Sequence, residues 1–187
     1  MNETLKKAVE VLRQGGVILY PTDTIWGLGC DATNATAVQR IYDIKQRANS
    51  KAMLVLIDSS AKLQGYVREV PDIAWDLIDL SEKPLTIIYS GAKNLAENLV
   101  AEDGSIGIRI TRETFSKRLC EQFRKPIVST SANISNTTAP KSFGEIDEII
   151  KNNVDYIVDY RQNEKIQATA SSIIKLEVNG QITIIRK

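Results

Sequence analysis

Apolar positions along the chain fall into two rhythms, one of helical spacing and one of strand alternation, and the two follow each other from end to end. Leu5, Ala8, Val9 and Leu12 stand at i, i+3, i+4 and i+7, one face of a helix, and Gly15-Gly16 stops it, so a first helix ends near Gln14. Residues 17–20, Val-Ile-Leu-Tyr, are short, rich in β-branched side chains and halted by Pro21, which predicts a buried strand. The segment PTDTIWGLG leaves that strand as a loop. Asn34 suits the cap of a second helix with Val38, Ile41 and Tyr42 on one face; the basic stretch KQRANSK and a strand over 53–57 come next. Pro71 suits the first turn of a helix presenting Ile73, Leu77 and Ile78, before a strand over 85–89. In residues 105–110 three isoleucines alternate with smaller or polar residues, which puts Arg109 on the opposite face. A helix with Phe115, Leu119 and Phe123 leads to a strand at Ile127-Val128 and the polar segment STSANISNTTAP. Ser142 and Glu145 have capping-box spacing for a helix with Ile146, Ile149 and Ile150, and 154–158 reads as a strand. The chain ends in a hairpin, 171–178 and 181–186, with Asn179-Gly180 predicting a type I′ turn.

Helices alternating with strands, no repeat, no low-complexity tract and no linker predict one α/β domain over residues 1–187, built on a mixed sheet. A chain of 187 residues buries roughly 70% of the surface its unfolded form exposes, so it needs no covalent staples. Composition then narrows the chemistry. There is no histidine, which excludes Ser-His-Asp and Cys-His nucleophile pairs, an imidazole base and a His-ligated zinc. Cys30 and Cys120 form neither a CxxC pair nor a disulfide framework and read as small buried thiols. The amphipathic N-terminus lacks a signal-peptide core, and no stretch approaches the roughly 18 apolar residues of a membrane span, so a soluble, cytoplasmic protein is expected. Net charge is +1, but it is sorted: residues 39–51 hold Arg40, Lys45, Arg47 and Lys51 against Asp43 alone, while 143–164 carry six acids against Lys151 and Arg161.

Three polar segments follow apolar elements, where loops at a sheet end converge on ligands. PTDTIWGLG offers the hydroxyls of Thr22 and Thr24, the carboxylate of Asp23 and glycines that let backbone approach a ligand; equally, Asp23 and Thr24 suit a turn that satisfies its own amides. KQRANSK offers Lys45, Arg47 and Lys51, the point charges and planar fork that a polyphosphate wants, or else a solvated helix end. STSAN caps a loop or presents donors to phosphate and base. Without histidine, and with no Ser-x-x-Lys in that segment, a catalytic serine is excluded there. Arg109 either snorkels to solvent or points into a site needing a carboxylate or phosphate, and Trp26 either packs as a lid or stacks on a base.

The order of these segments carries more than any one of them. PTDTIWGLG, then KxR and Lys51 before LVLI, then KPLTII, GSIGIRIT, KPIVSTSANIS, SSIIKL and a terminal IIR resemble the YrdC-like family of threonylcarbamoyl-AMP synthases, over about residues 15–186. The resemblance implies a mixed, twisted open sheet with a positively charged cavity, and a nucleotidyl transfer joining L-threonine, bicarbonate and ATP into threonylcarbamoyl-AMP and pyrophosphate. It further implies Mg²⁺ travelling with ATP, a partner complex that modifies tRNA, and RNA binding in some members. Carried over by residue, Thr22, Thr24, Arg109 and Ser171 match the threonine-holding positions. Lys45, Arg47 and Lys51 match the catalytic cationic segment at the phosphates, and Ser131, Asn133 and Arg186 match further nucleotide-binding positions. The sequence departs from the family pattern at Trp26, Ala48, Ala52, Leu56 and Asn136, and none of these removes a charged group except Leu56, which stands where many longer members have histidine. The longer members carry a second domain, which is not expected here. A non-catalytic RNA-binding or ribosome-maturation module on the same fold is the alternative that the basic 39–51 stretch leaves open, and a small-molecule hydrolase is a third.

Overall fold

A computed structural model describes residues 1–46, 53–164 and 169–187. The chain runs α1 (Asn2–Arg13), β1 (Ile18–Tyr20), β2 (Gly27–Gly29), α2 (Ala35–Ile44), β3 (Leu54–Ile57), α3 (Ile73–Leu80), β4 (Leu85–Tyr89), β5 (Ile106–Ile110), α4 (Thr114–Phe123), β6 (Ile127–Ser131), α5 (Glu148–Asn152), β7 (Tyr156–Ile157), β8 (Ser172–Leu176) and β9 (Ile182–Arg186). The strands form one mixed sheet in the order β7-β1-β2-β6-β3-β5-β4-β8-β9. Parallel pairs, β1/β7, β3/β5 and β4/β8, are interleaved with antiparallel ones, so helical crossovers and direct reversals both occur.

Strand alternation divides the core in two. Leu19, Leu28, Val55, Ile57, Ile87, Ile108, Val128 and Ile174 share an apolar layer with Ala37, Val38, Ile41 and Tyr42 of α2 and Ala74 and Ile78 of α3. On the other face Ile18, Tyr20, Leu56 and Ile127 meet Leu5, Ala8, Val9 and Leu12 of α1 and Phe115, Leu119, Cys120 and Phe123 of α4. For α1, α2 and α4 these are the helix faces that the spacing predicts; in α3 the buried face is Ala74 and Ile78, and Ile73, expected on it, is exposed. Cys30 and Cys120 are free, buried thiols, and burial pushes both up.

Three elements differ from the sequence pattern, each for a local reason. Gly27–Gly29, read as loop, is a strand paired to both β1 and β6. It is squeezed between them: a Cβ on Gly29 would lie 2.6 Å from Tyr20 Cε1 and 3.0 Å from the Val128 carbonyl, so only glycine fits. The helix expected after Ser142 breaks in two. Ser142 and Glu145 do pair, with Ser142 Oγ donating to Glu145 Oε1 at 3.3 Å, but they enclose a single 3₁₀ turn, and α5 starts afresh where Asp147 accepts from Ile149 N at 2.8 Å. The terminal hairpin is not type I′, since that turn needs two residues of positive φ and only Gly180 has one, at +85°. Glu177 and Gln181 close a three-residue loop with Gly180 as the left-handed residue instead.

Far from these departures, one ion pair ties α2 to the β7 end of the sheet. Asp155 Oδ2 accepts from Val17 N and Arg40 Nη1, both at 2.7 Å, and Oδ1 accepts from Arg40 Nη2 at 3.1 Å. The Arg40 hydrogen bonds hold the Asp155 carboxyl below the usual carboxylate range. A lowered folded-state value means stability that is present above the unfolded value and is lost as pH falls through the folded one. Asp155→Asn is therefore expected to lower unfolding free energy at pH 7 by about 1 kcal/mol, a charge-assisted bond discounted for its exposure to solvent. Denaturant titrations of both proteins from pH 7 to 3 should show the gap closing below about pH 4.

Candidate functional site

Helices α1 and α4 cover the half of the sheet from β7 and β1 to part of β3. Beyond them the same face is open, and its floor is a cavity of about 270 Å³ lined by Leu54, Arg109, Ser129, Ser131 and Ile173 among others. An adjoining hollow of about 160 Å³ continues over Thr86, Ile88 and Gly107, sharing Met53, Leu54 and Ile173. Gly107 keeps this floor low: a Cβ there would stand 3.3 Å from both Leu54 Cβ and Thr86 Cγ2. Thr24, Ile25, Trp26 and Gly27 form one wall, residues 129–131 another, and Ala170, Ser171 and Arg186 the far side.

The first loop is held by its own hydroxyls. Thr22 Oγ1 accepts from Thr24 N at 3.1 Å, donates to the Ile25 carbonyl at 2.8 Å and lies 3.0 Å from Thr24 Oγ1. Thr22 thus shapes the turn from behind, while Thr24 faces the cavity. Arg109, on β5, is 3% exposed, and its Nη2 donates to Thr24 Oγ1 at 3.4 Å. The same Nη2 is 3.0 Å from Asp23 Oδ1, a close charge contact that is not aligned as a hydrogen bond. Arg109 Nε is buried and has no hydrogen-bond partner among the described residues. Desolvation pushes the Asp23 carboxyl up against the opposing pull of Arg109, and the Glu113 charge adds to the rise.

Across the cavity a second polar chain runs over β4, the start of β8 and β9. Thr86 Oγ1 and Ser171 Oγ are 2.9 Å apart, and Arg186 donates from Nε to the Ser171 carbonyl at 2.9 Å and from Nη2 to Ser171 Oγ at 3.3 Å. Burial, and then the neighbouring charge of Arg109, pushes the Arg186 guanidinium down. The register that sets Thr86 beside Ile173, and Ile173 beside Arg186, brings these groups together.

Of the remaining sequence candidates, Ser131 lines the cavity, but Lys45 and Asn133 stand behind its wall. Lys45 is 1% exposed, and its ammonium donates to the Ser131 carbonyl, to the Asn133 carbonyl at 2.6 Å and to Asn133 Oδ1 at 3.4 Å. Asn133 in turn donates to the Thr137 carbonyl at 2.6 Å. Both side chains brace the loop after β6. Arg47 and Lys51 lie outside the described residues. Trp26 packs its ring 4.9 Å from that of Phe143 and also lines the cavity, in keeping with the packing reading.

Two residues at the site carry no assigned role in the sequence. Asp23 is visible as a turn acid, but nothing in local spacing pairs it with Arg109. Arg161, inside the acidic stretch, has φ +62°, donates to the Thr22 carbonyl at 3.2 Å and contacts Glu113 and Glu164 at 3.4 and 2.7 Å. Among the described residues no group of three or more His, Cys, Asp or Glu could hold a metal, and no helix is long and apolar enough to cross a membrane.

Comparison with known proteins agrees with this geometry. A family model named Sua5/YciO/YrdC, described as "Telomere recombination", matches residues 10–187. The chain is 36% identical over 182 residues, 96% of both proteins, to a threonylcarbamoyl-AMP synthase of Pseudoalteromonas translucida. It is 33% identical over 152 residues, 80% of both, to one of Psychromonas ingrahamii. Among solved structures it is similar to P. abyssi Sua5 complexed with L-threonine, with TM-score 0.84, 26% identity, 92% of this chain covered and about half, 50%, of that longer one. The fold also matches E. coli YciO, with TM-score 0.86 and 24% identity over 100% of this chain and 90% of that one. Sheet order, cavity and sequence similarity together show that this chain belongs to the Sua5/YciO/YrdC family.

Proposed function

We propose that the protein is an L-threonylcarbamoyladenylate synthase, which makes threonylcarbamoyl-AMP and pyrophosphate from L-threonine, bicarbonate and ATP. The observation that carries this reading is the convergence of Thr24, Arg109, Ser131, Ser171 and Arg186, drawn from four separate parts of the chain, on one cavity. Two guanidinia and a set of hydroxyls with no histidine suit a reaction that needs no enzyme nucleophile. The threonine amine attacks bicarbonate carbon, water leaves, and the carbamate oxygen then attacks the α-phosphorus of ATP as its bond to pyrophosphate breaks.

Each described residue has a place in that sequence. The Nε edge of Arg109, which no described residue pairs, takes the threonine carboxylate, and Thr24 and Ser171, both fixed by hydrogen bonds, orient the rest of the amino acid. Arg186 and the 129–131 wall face the phosphates, with Lys45 and Asn133 holding the loop that presents Ser131. Arg47 and Lys51 are assigned to the phosphates with them. The recessed floor limits water, which a carbamate needs because it hydrolyses readily. No described carboxylate lines the cavity, which fits a Mg²⁺ carried in by ATP rather than held by the protein, where it would neutralise charge on the departing pyrophosphate. The product is passed to a tRNA-modifying partner complex in the cytoplasm. The described cations at the site line a recess rather than an outer face, which favours this reading over an RNA-binding module.

Incubation with ATP, Mg²⁺, bicarbonate and labelled threonine is expected to release pyrophosphate and an adenylated threonine product; neither appearing would remove the assignment. Arg109→Ala should lower kcat/KM for threonine by about 1.5–3 kcal/mol, and Arg109→Lys should not recover it, since an ammonium cannot reproduce the planar fork. Thr22→Val should behave differently. Freeing the Ile25 carbonyl is expected to cost about 1–3 kcal/mol of stability in a denaturant titration. Its KM for threonine should move less than that of Thr24→Val, because only Thr24 reaches the cavity.

A further inference from the structure

Two described cations line the cavity, and no described acid does. The two are not equivalent. Arg109 has a carboxylate behind it, Asp23 at 3.0 Å, with the two side chains 3% and 10% exposed. Asp23 does not line the large cavity but a separate hollow of about 120 Å³, together with Ser81, Pro84 and Arg112. Arg186 donates to the Ser171 carbonyl and hydroxyl, and has no ion-pair partner among the described residues. One end of the cavity is therefore charge-balanced from outside, and the other is a bare cation.

That asymmetry matters because both substrates present anionic oxygens. A guanidinium fork fits carboxylate and phosphate alike, so shape alone does not keep a triphosphate from occupying the amino-acid end. Net ligand charge does discriminate. An amino acid at neutral pH is a zwitterion, so the repulsion of its carboxylate by Asp23 is offset by the attraction of its ammonium. A phosphate or sulfate dianion has no such offset.

We propose that Asp23 is a specificity-determining residue: by neutralising Arg109 from outside the cavity, it makes that end accept a zwitterionic amino acid and refuse phosphate, leaving the Arg186 end to the polyphosphate. This rests on the assignment of threonine to Arg109 made above. Asp23 touches no ligand and works by like-charge rejection, a way of gaining selectivity without any added contact.

Calorimetric titration of sulfate and of L-threonine, each alone, into the wild type, Asp23→Asn, Asp23→Glu and Asp23→Asn/Arg109→Ala tests this. Asp23→Asn is expected to bind sulfate at least about tenfold more tightly relative to threonine than the wild type does. Asp23→Glu should keep the wild-type ratio, and the double variant should lose the gain. Asp23→Ser, also uncharged, serves if Asp23→Asn melts below the titration temperature. An unchanged ratio in the folded uncharged variant, a gain in Asp23→Glu equal to that in Asp23→Asn, or a gain that survives loss of Arg109 overturns the proposal. Failure of the wild type to bind threonine removes the assignment of threonine to Arg109, and is read apart from the sulfate titrations.

Discussion

Two helices cover one face of a sheet that is too wide for them. Nine strands spaced about 4.8 Å apart span about 40 Å, while two helices side by side, each about 10 Å across, cover about half of that. α1 and α4 sit over the β1 to β3 half, where Leu5, Leu12, Phe115 and Leu119 find Ile18, Tyr20, Leu56 and Ile127. The uncovered half cannot be apolar throughout and stay exposed. Beside Ile88 and Ile173 it carries Gly107, Arg109 and Thr86, where the covered half carries isoleucine and leucine. The cavity is thus a consequence of element count, and its chemistry follows from which residues fill the inward positions beyond the helices.

The lack of histidine and the near-zero net charge acquire a structural meaning from that cavity. Positive charge is placed in the recess by Arg109 and Arg186, and negative charge is kept behind the walls, on Asp23 and Glu113. Sequence totals average these away, although their separation across a few ångströms is what gives the recess a field. Arg161 belongs to the same arrangement: it joins the Thr22 turn, the cap of α4 and the 161–164 turn, so the wall bearing Thr24 is braced from outside.

Local periodicity made the helices and most strands legible, including the placement of Arg109 on the face opposite Ile106 and Ile108, but not whether that face is buried. It failed where the deciding contact is distant in sequence. β2 is a strand because β1 and β6 close around it, and its glycines, which argue for a loop locally, are what allow that closure. The site divides the same way. Thr24, Ser131, Ser171 and Arg186 were legible through the order of motifs, whereas the pairing of Asp23 with Arg109 brings the loop between β1 and β2 to β5, with β6 and β3 between them in the sheet, and leaves no spacing signal. Lys45 shows the limit from the other side: its charge type was legible, but that its ammonium donates to the carbonyls of Ser131 and Asn133 was not. A basic stretch reports charge, and only the fold reports which way each charge points.

The energetics of Arg109 explain why so costly a group sits where it does. A buried guanidinium with an ill-aligned counter-ion, and an Nε that no described residue pairs, forfeits about 1–3 kcal/mol for the unsatisfied N–H alone. An aliphatic residue at that position would relieve this cost, as Ile106 and Ile108 do on the opposite face. On the proposed assignment, the carboxylate of threonine meets that donor and removes the penalty, so the cost of burying the guanidinium returns as binding energy. Because β5 is held between β3 and β4, the guanidinium needs little reorganisation to receive it. Burial of an incompletely paired cation, a defect by the rules of core packing, is then the feature that makes the recess a binding site.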